Sequence, residues 1–140
     1  MQTILQILER AGGYRSTLSL KIENPPYMVL VIEAIEPGPL GLPGLSIAHY
    51  GEQNGDLMRD PEMCFELSQP IRSKLSLDPY YWRNDYVAVE QWSRNLIKGH
   101  YVALLELHRQ HELFAADWDN VLRLQGFAYA FERQQQTPGA

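Results

Sequence analysis

The chain has 140 residues, 45% of them hydrophobic, and a formal net charge of −5 at pH 7. That length accommodates one domain with a real core, and the acidic balance argues against a broad nucleic-acid-binding patch. Cys64 is the one cysteine, which excludes an internal disulfide and a cysteine-rich zinc site. No apolar run reaches membrane-spanning length. The opening MQTILQILERAGG lacks the basic and long apolar regions of a signal peptide, so a cytoplasmic location is expected.

Thr3 to Ala11 carries an apolar stripe of Ile4, Leu5, Ile7 and Leu8. A short helix is expected there, with Thr3 as its cap and Gly12-Gly13 as its stop. Leu18, Leu20 and Ile22 alternate with polar residues and read as a strand. After the Asn24-Pro25-Pro26 turn, Tyr27 to Ile35 reads as a second strand. Its nearly continuous apolar centre suggests a central place in the sheet or burial on both faces.

Glu36 to Gly44, EPGPLGLPG, holds too much proline and glycine for a sheet interior. It reads as a meandering or polyproline-like connection, with a proline-rich ligand segment as the alternative. Leu45, Ile47 and His49 then alternate with Ser46, Ala48 and Tyr50, and Met63, Phe65 and Leu67 with Cys64, Glu66 and Ser68. Two antiparallel strands are expected, joined by a structured loop through the turn dipeptide Asn54-Gly55 and the break at Asp60-Pro61.

Gln69 to Pro79 reads as a linker, with a helical turn over Ile71 to Leu77. An aromatic loop from Tyr80 to Asp85 would precede a strand from Tyr86 to Trp92, a turn from Ser93 to Gly99 and a last strand from His100 to Leu107. From His108 to Leu124 or Gln125, Phe114, Trp118, Val121 and Leu122 recur at helical spacing, and Gly126 is the stop. Ala128 to Glu132 extends this helix or docks loosely, and residues 134–140 form a flexible tail after a single domain of residues 1–133. The expected class is α+β: an antiparallel sheet of about five or six strands, an N-terminal helix, and a long C-terminal helix packed on one face.

The candidate working surface combines His49, Tyr50, Glu52, Gln53, Asn54, Asp56, Arg59, Asp60 and Glu62 of the central stretch with Trp82, Asn84 and Asp85. Carboxylates at this density need partners, a ligand or water. The plain alternative is a solvated loop whose Asn and Asp side chains cap its own backbone. For Tyr81 and Trp82 the plain alternative is core packing. His49, Glu52, Asp56 and Asp60 offer one imidazole and several oxygens to a divalent metal, without any spaced metal signature. His108 and His111, one helical turn apart with Glu112 beside them, are a second such pair, better read as one facing solvent and the other tucked under a neighbouring loop. No nucleophile elbow surrounds Ser46, Ser68, Ser93 or Cys64, and the prolines of GPLGLPG remove the amides a phosphate loop needs.

The run AHYGEQNGDLMRDPEMCFEL, with ENPPYMVLVIE upstream, Asn84-Asp85-Tyr86, and Trp118 to Phe127 as W-x-x-x-L-x-x-Q-G-F, resembles an uncharacterised domain family of bacterial plasmids, integrative elements and phages. Members carry a similar HYYEQNGDLMRDPEM string, and Gly51 departs from it where an aromatic residue is common. The resemblance covers nearly the whole chain. It implies a compact α+β domain linked to mobile DNA and implies no activity.

The expected function is a non-enzymatic protein-interaction module. It implies a protein partner, no nucleic acid, no membrane and no cofactor. The alternatives are a metal-dependent hydrolase using the His49–Glu62 segment and an acidic nucleic-acid mimic.

Overall fold

The computed structural model describes residues 1–69 and 74–136. Its elements are α1 (Gln2–Arg10), β1 (Ser19–Ile22), β2 (Val29–Ile35), β3 (Gly44–Gln53), β4 (Asp56–Ser68), β5 (Ser76–Asn84), β6 (Val89–Trp92), β7 (Arg94–Ile97), β8 (His100–Ala103), α2 (Leu105–Leu124) and α3 (Phe127–Gln136). The class is the expected α+β. β1 to β6 form one antiparallel meander in chain order, and β7 pairs with β8 as a separate ribbon.

All three helices sit on one sheet face. Ile4, Ile7 and Leu8 of α1, Trp118 and Leu122 of α2, and Phe127 and Phe131 of α3 share one core with Leu30, Ile32, Leu45, Ile47, Met63 and Phe65 of the sheet. Fully burying such a side chain contributes about 1.5–3 kcal/mol. The helical cap differs from the expectation. The Thr3 N–H of α1 donates to Asp119 Oδ1 of α2 at 2.9 Å, so a distant carboxylate satisfies the helix start.

β2 is not central. It lies next to the edge strand β1, and its residues alternate between buried and more open positions. The free edge of β1 is covered by Gln134 of α3, whose amide donates to Lys21 O at 2.8 Å.

The join between β3 and β4 is tighter than expected. Gln53 pairs with Asp56, leaving Asn54 and Gly55 as a two-residue turn, both at positive φ of 52° and 86°. This is the turn whose twist suits a hairpin. The residues expected to form a long loop instead extend the ladder.

Tyr80 to Asn84 are strand, not loop, because Tyr81, Trp82 and Arg83 pair with β4 on one side and β6 on the other. Residues 85–88 form the turn. Arg94 to Ile97 are likewise strand, and the turn there narrows to Lys98-Gly99. Ile71 of the expected helical turn lies outside the described residues, while Ser76 and Leu77 belong to β5. Gln134 to Gln136 continue α3, and the last residues of the expected tail lie outside the described ones.

Two bulges shape the sheet, each at an Asp-Pro pair. Ala48 pairs with Glu62 and Tyr50 with Arg59, so His49 alone stands across from Asp60 and Pro61. Cys64 pairs with Tyr81 and Phe65 with Pro79, so Tyr80 is the extra residue there. Proline has no N–H for the ladder, and a bulge is where a strand tolerates it.

Candidate functional site

The sheet face opposite the helices carries Ser46, Ala48, Glu62, Cys64, Glu66 and Tyr81. It follows from strand alternation, since their neighbours Ile47, Met63 and Phe65 fill the helix-side core. The first bulge places Arg59 on this same face, three positions from Glu62. Arg59 Nη1 donates to Glu62 Oε1 at 3.1 Å, and the Ser46 hydroxyl donates to Glu62 Oε2 at 2.6 Å.

The network continues into the β5–β6 turn. Asp85 Oδ2 accepts from the Arg59 backbone N–H at 2.9 Å and from Arg59 Nε at 3.3 Å. Its Oδ1 accepts from Arg83 Nε at 2.7 Å. Partial burial would raise the Asp85 pKa, but the Arg59 N–H and the two guanidinium groups outweigh it and hold the carboxyl below its ordinary value.

Beside this network lies a cleft of about 530 Å³. One wall is Ile35 to Pro39, the other Trp92, Asn95 and Leu96, and the floor is Glu62, Cys64, Tyr80 and Tyr81. The second bulge turns both tyrosines to this side. Trp92 packs edge-on against Tyr81 at 4.6 Å between ring centroids and stacks on Tyr80 at 6.2 Å. Burial first, and the Glu62 charge after it, push the Cys64 thiol up to about 12, which favours the neutral thiol over the thiolate. Burial likewise pushes Tyr81 up to about 12.

The end of the cleft is anchored by an ion pair. Glu66 Oε1 and Arg94 Nη1 meet at 2.6 Å in the interior. Leu40 and Leu42 donate their N–H groups to Glu66 Oε2 at 2.9 and 3.1 Å. The proline- and glycine-rich connection therefore wraps a buried carboxylate. A Cβ on Gly38 would overlap Glu66 Cγ.

The expected surface residues divide among four places. Arg59, Glu62 and Asp85 come together on the open face, with Tyr50 opposite Arg59. Glu52, Gln53, Asn54 and Asp56 are exposed at the hairpin tip. Asp60 Oδ1 accepts from Asn84 Nδ2 at 2.6 Å, away from the network. His49 and Trp82 turn to the helix side. The His49 ring lies 5.5 Å from Trp118 and 5.3 Å from Phe127, and burial keeps its pKa below the ordinary value. Trp82 packs edge-on against Phe114 at 5.7 Å, with its indole N–H buried and without a hydrogen-bond partner among the described residues.

His49, Glu52, Asp56 and Asp60 therefore do not converge on one point, because the hairpin sends Glu52 and Asp56 to its tip and His49 into the core. Among the described residues, the group of possible metal ligands with converging donor atoms is Asp78, His108 and Glu112. His108 turns Nε2 to Asp78 at 2.7 Å and Nδ1 to Glu112 at 3.4 Å, and Arg94 Nη2 stands 3.3 Å from Asp78. Hydrogen bonding of the His108 ring, with the Arg94 guanidinium beside Asp78, accounts for that arrangement. His111 takes the other role expected for the pair: it is buried, with Nδ1 2.8 Å from Ser93 Oγ and Nε2 3.0 Å from Gln91 Oε1.

Gly51 has a structural explanation. The Tyr86 hydroxyl occupies the space where a Cβ at position 51 would stand. An aromatic side chain there would have to displace Tyr86.

Glu66, Arg94 and Trp92 are absent from the candidate residues read from the sequence, and Glu36 to Pro39 enter there only as part of a connection or proline-rich ligand segment. The one local signal was Glu66 itself, a charge between the core residues Phe65 and Leu67. No helix among the described residues is long and apolar enough to cross a membrane. No curated protein and no solved structure matches the chain. A family model does match, over residues 2–128, and the chain belongs to that family, the domain of unknown function DUF6908.

Proposed function

We propose that the chain is a non-enzymatic protein-interaction module whose working surface is the cleft and rim on the sheet face opposite the helices. The cleft between Ile35 and Leu96 receives a basic side chain of the partner, and the Arg59–Glu62–Asp85 network forms the polar rim. The observation that carries this reading is the composition of the cleft lining: Glu36 is present, with Glu62 already bonded to Arg59 and Ser46, while no lysine or arginine lines the cleft. Trp92 and Tyr81 add aromatic surface, the Tyr80 ring already having the Arg94 guanidinium 5.7 Å from its centroid, and a cation over an aromatic face gains about 0.5–2 kcal/mol. Aromatic side chains in a concave, partly dry setting also make efficient contact surfaces.

The sequence resemblance supplies part of the setting for this proposal, a bacterial mobile element and a partner in host defence or element transfer, and the cytoplasmic location is the expectation read from the residues. The hydrolase alternative loses support because its four ligands are spread over the core, the tip and the Asn84 contact. The nucleic-acid mimic loses support because Glu62 and Asp85 are engaged by arginines and do not form an open line of charge.

Affinity capture from the host, followed by calorimetry with the recovered partner, tests the assignment. Trp92→Ala and Glu36→Lys should weaken binding at least tenfold and leave the circular dichroism spectrum unchanged. The tip variant Glu52→Gln/Asp56→Asn should bind normally. The opposite pattern would move the site to the hairpin tip, and a fully active Trp92→Ala protein would remove the cleft from the interface.

A further inference from the structure

The β7–β8 ribbon differs from the rest of the surface. Leu96, Ile97, Tyr101, Val102, Leu104 and Leu105 are all exposed, from 37% at Val102 to 79% at Leu105. Between Asn95 and Leu105 the one formal charge is Lys98, at the turn. A two-stranded ribbon is marginal in water, and independent stability takes three or more strands or a covering helix.

Among the described residues, the two edges of the six-stranded sheet are guarded. β1 has Gln134 laid along it and Lys21 within it, and β6 carries Glu90. β8 has β7 as its strand partner and no proline or acidic residue of its own. Unguarded edges of this kind pair with other chains.

We propose that β8 is a homodimerisation edge, pairing antiparallel with β8 of a second copy to make a four-stranded sheet across a two-fold axis. The register follows from the hydrogen-bond phase of the ribbon. Ile97 and His100 close the two-residue turn, and Leu104 donates to Ser93 O at 2.8 Å, so alternate residues from His100 bond toward β7. The outward-facing peptide groups are those of Tyr101 and Ala103. Using both sets Val102 directly across from its own copy on the axis, and Tyr101 across from Ala103.

Charge favours this arrangement. The acidic excess of the chain lies outside the ribbon, so two ribbons meet without carboxylates between them. The antiparallel register also points each Lys98 turn toward the start of α2 in the second copy, where Glu106 stands in the first turn. A second copy is thus a self-complementary occupant: apolar along the strand, with opposite charges at its ends. The cleft proposal above and this edge rest on different residues and fail independently, apart from Asn95 and Leu96, which border both.

Sedimentation velocity over a concentration series reads the assembly directly. The wild-type chain should move toward twice its 16.1 kDa as concentration rises. Val102→Lys and Val102→Glu each place like charges on the axis at an exposed position, so each should sediment at 16.1 kDa with an unchanged circular dichroism spectrum. An equal mixture of the two should return to the dimer mass, because Lys then faces Glu. A wild-type chain that stays monomeric up to its solubility limit overturns the proposal. So does a dimer that survives Val102→Lys, and a mixture that remains monomeric.

Discussion

Glu66 and Arg94 form a complete ion pair inside the protein, with side chains only 1% and 3% exposed. Neither charge relies on the other alone. Glu66 also takes the Leu40 and Leu42 amides, and Arg94 also donates to Pro79 O at 3.2 Å and Asp78 O at 3.1 Å. One contact therefore ties the 36–44 connection and the β7–β8 ribbon to the sheet, and these are the two walls of the cleft. Desolvating two ions is costly, and the surrounding amides and carbonyls are what make the burial tolerable.

Removing one partner leaves the other charge stranded. Glu66→Ala and Arg94→Ala should each cost about 3–5 kcal/mol, as breaking a buried pair does. The apolar replacement Glu66→Leu/Arg94→Met should recover much of that loss. Urea denaturation measures all three. A cost under about 1 kcal/mol for either single variant would match a solvated surface pair instead.

Gly38→Ala probes the same region by shape. Its methyl group would collide with Glu66 Cγ, and Glu66 is held by Arg94 and two amides. Overpacking of this kind costs about 1–3 kcal/mol. A melting temperature equal to wild type would show that the connection can shift away from the sheet.

Gly55 sits at φ 86° in the β3–β4 turn. Gly55→Val should destabilise by about 1 kcal/mol or more, since a β-branched residue is strained in that region. No atom crowds the position, so the loss is conformational, and Gly55→Asn should cost less than Gly55→Val. Equal stability of the two variants in thermal melts would contradict this.

Trp118 packs between His49 and Phe114, with ring centroids at 5.5 and 6.3 Å. Trp118→Ala empties a large core site and should cost about 3–5 kcal/mol. Near-UV circular dichroism and denaturant titration should show a largely unfolded or much weakened domain. A cooperative variant with native-like stability would show that the helix face closes over the gap.

His111 is buried, and its pKa is pushed down to about 4, by desolvation first and by the nearby His108 second. The unfolded chain takes up the proton near pH 6.5 while the folded chain does not. This contribution to stability is complete above pH 6.5 and is lost as pH falls toward 4, up to about 3 kcal/mol. His111→Gln should flatten the stability curve between pH 6.5 and 5, above the main carboxylate range. An identical slope in the two proteins would show that His111 charges inside the fold without cost.

The amino-acid sequence by itself determined the α+β class, the first and long C-terminal helices, the position of most strands, and the turn at Asn54-Gly55. These depend on periodicity and on local turn chemistry, which neighbouring residues carry. It also marked Asp60-Pro61 as a break in the strand pattern and Pro79 as the end of a linker. Tertiary structure alone decided that both places are bulges within strands. A bulge exists only against a paired strand, and it resets which side chains share a face. That reset joined Arg59 to Glu62 and brought Tyr80 and Tyr81 into one cleft. Strand alternation meanwhile separated His49 and Trp82 from the residues with which they had been grouped. The Glu66–Arg94 pair was equally out of reach of local reading, because its partners are 28 residues apart. What makes the two charges tolerable together is a solvent-excluded space that the sheet, the glycine-rich connection and the ribbon enclose only when all three are in place.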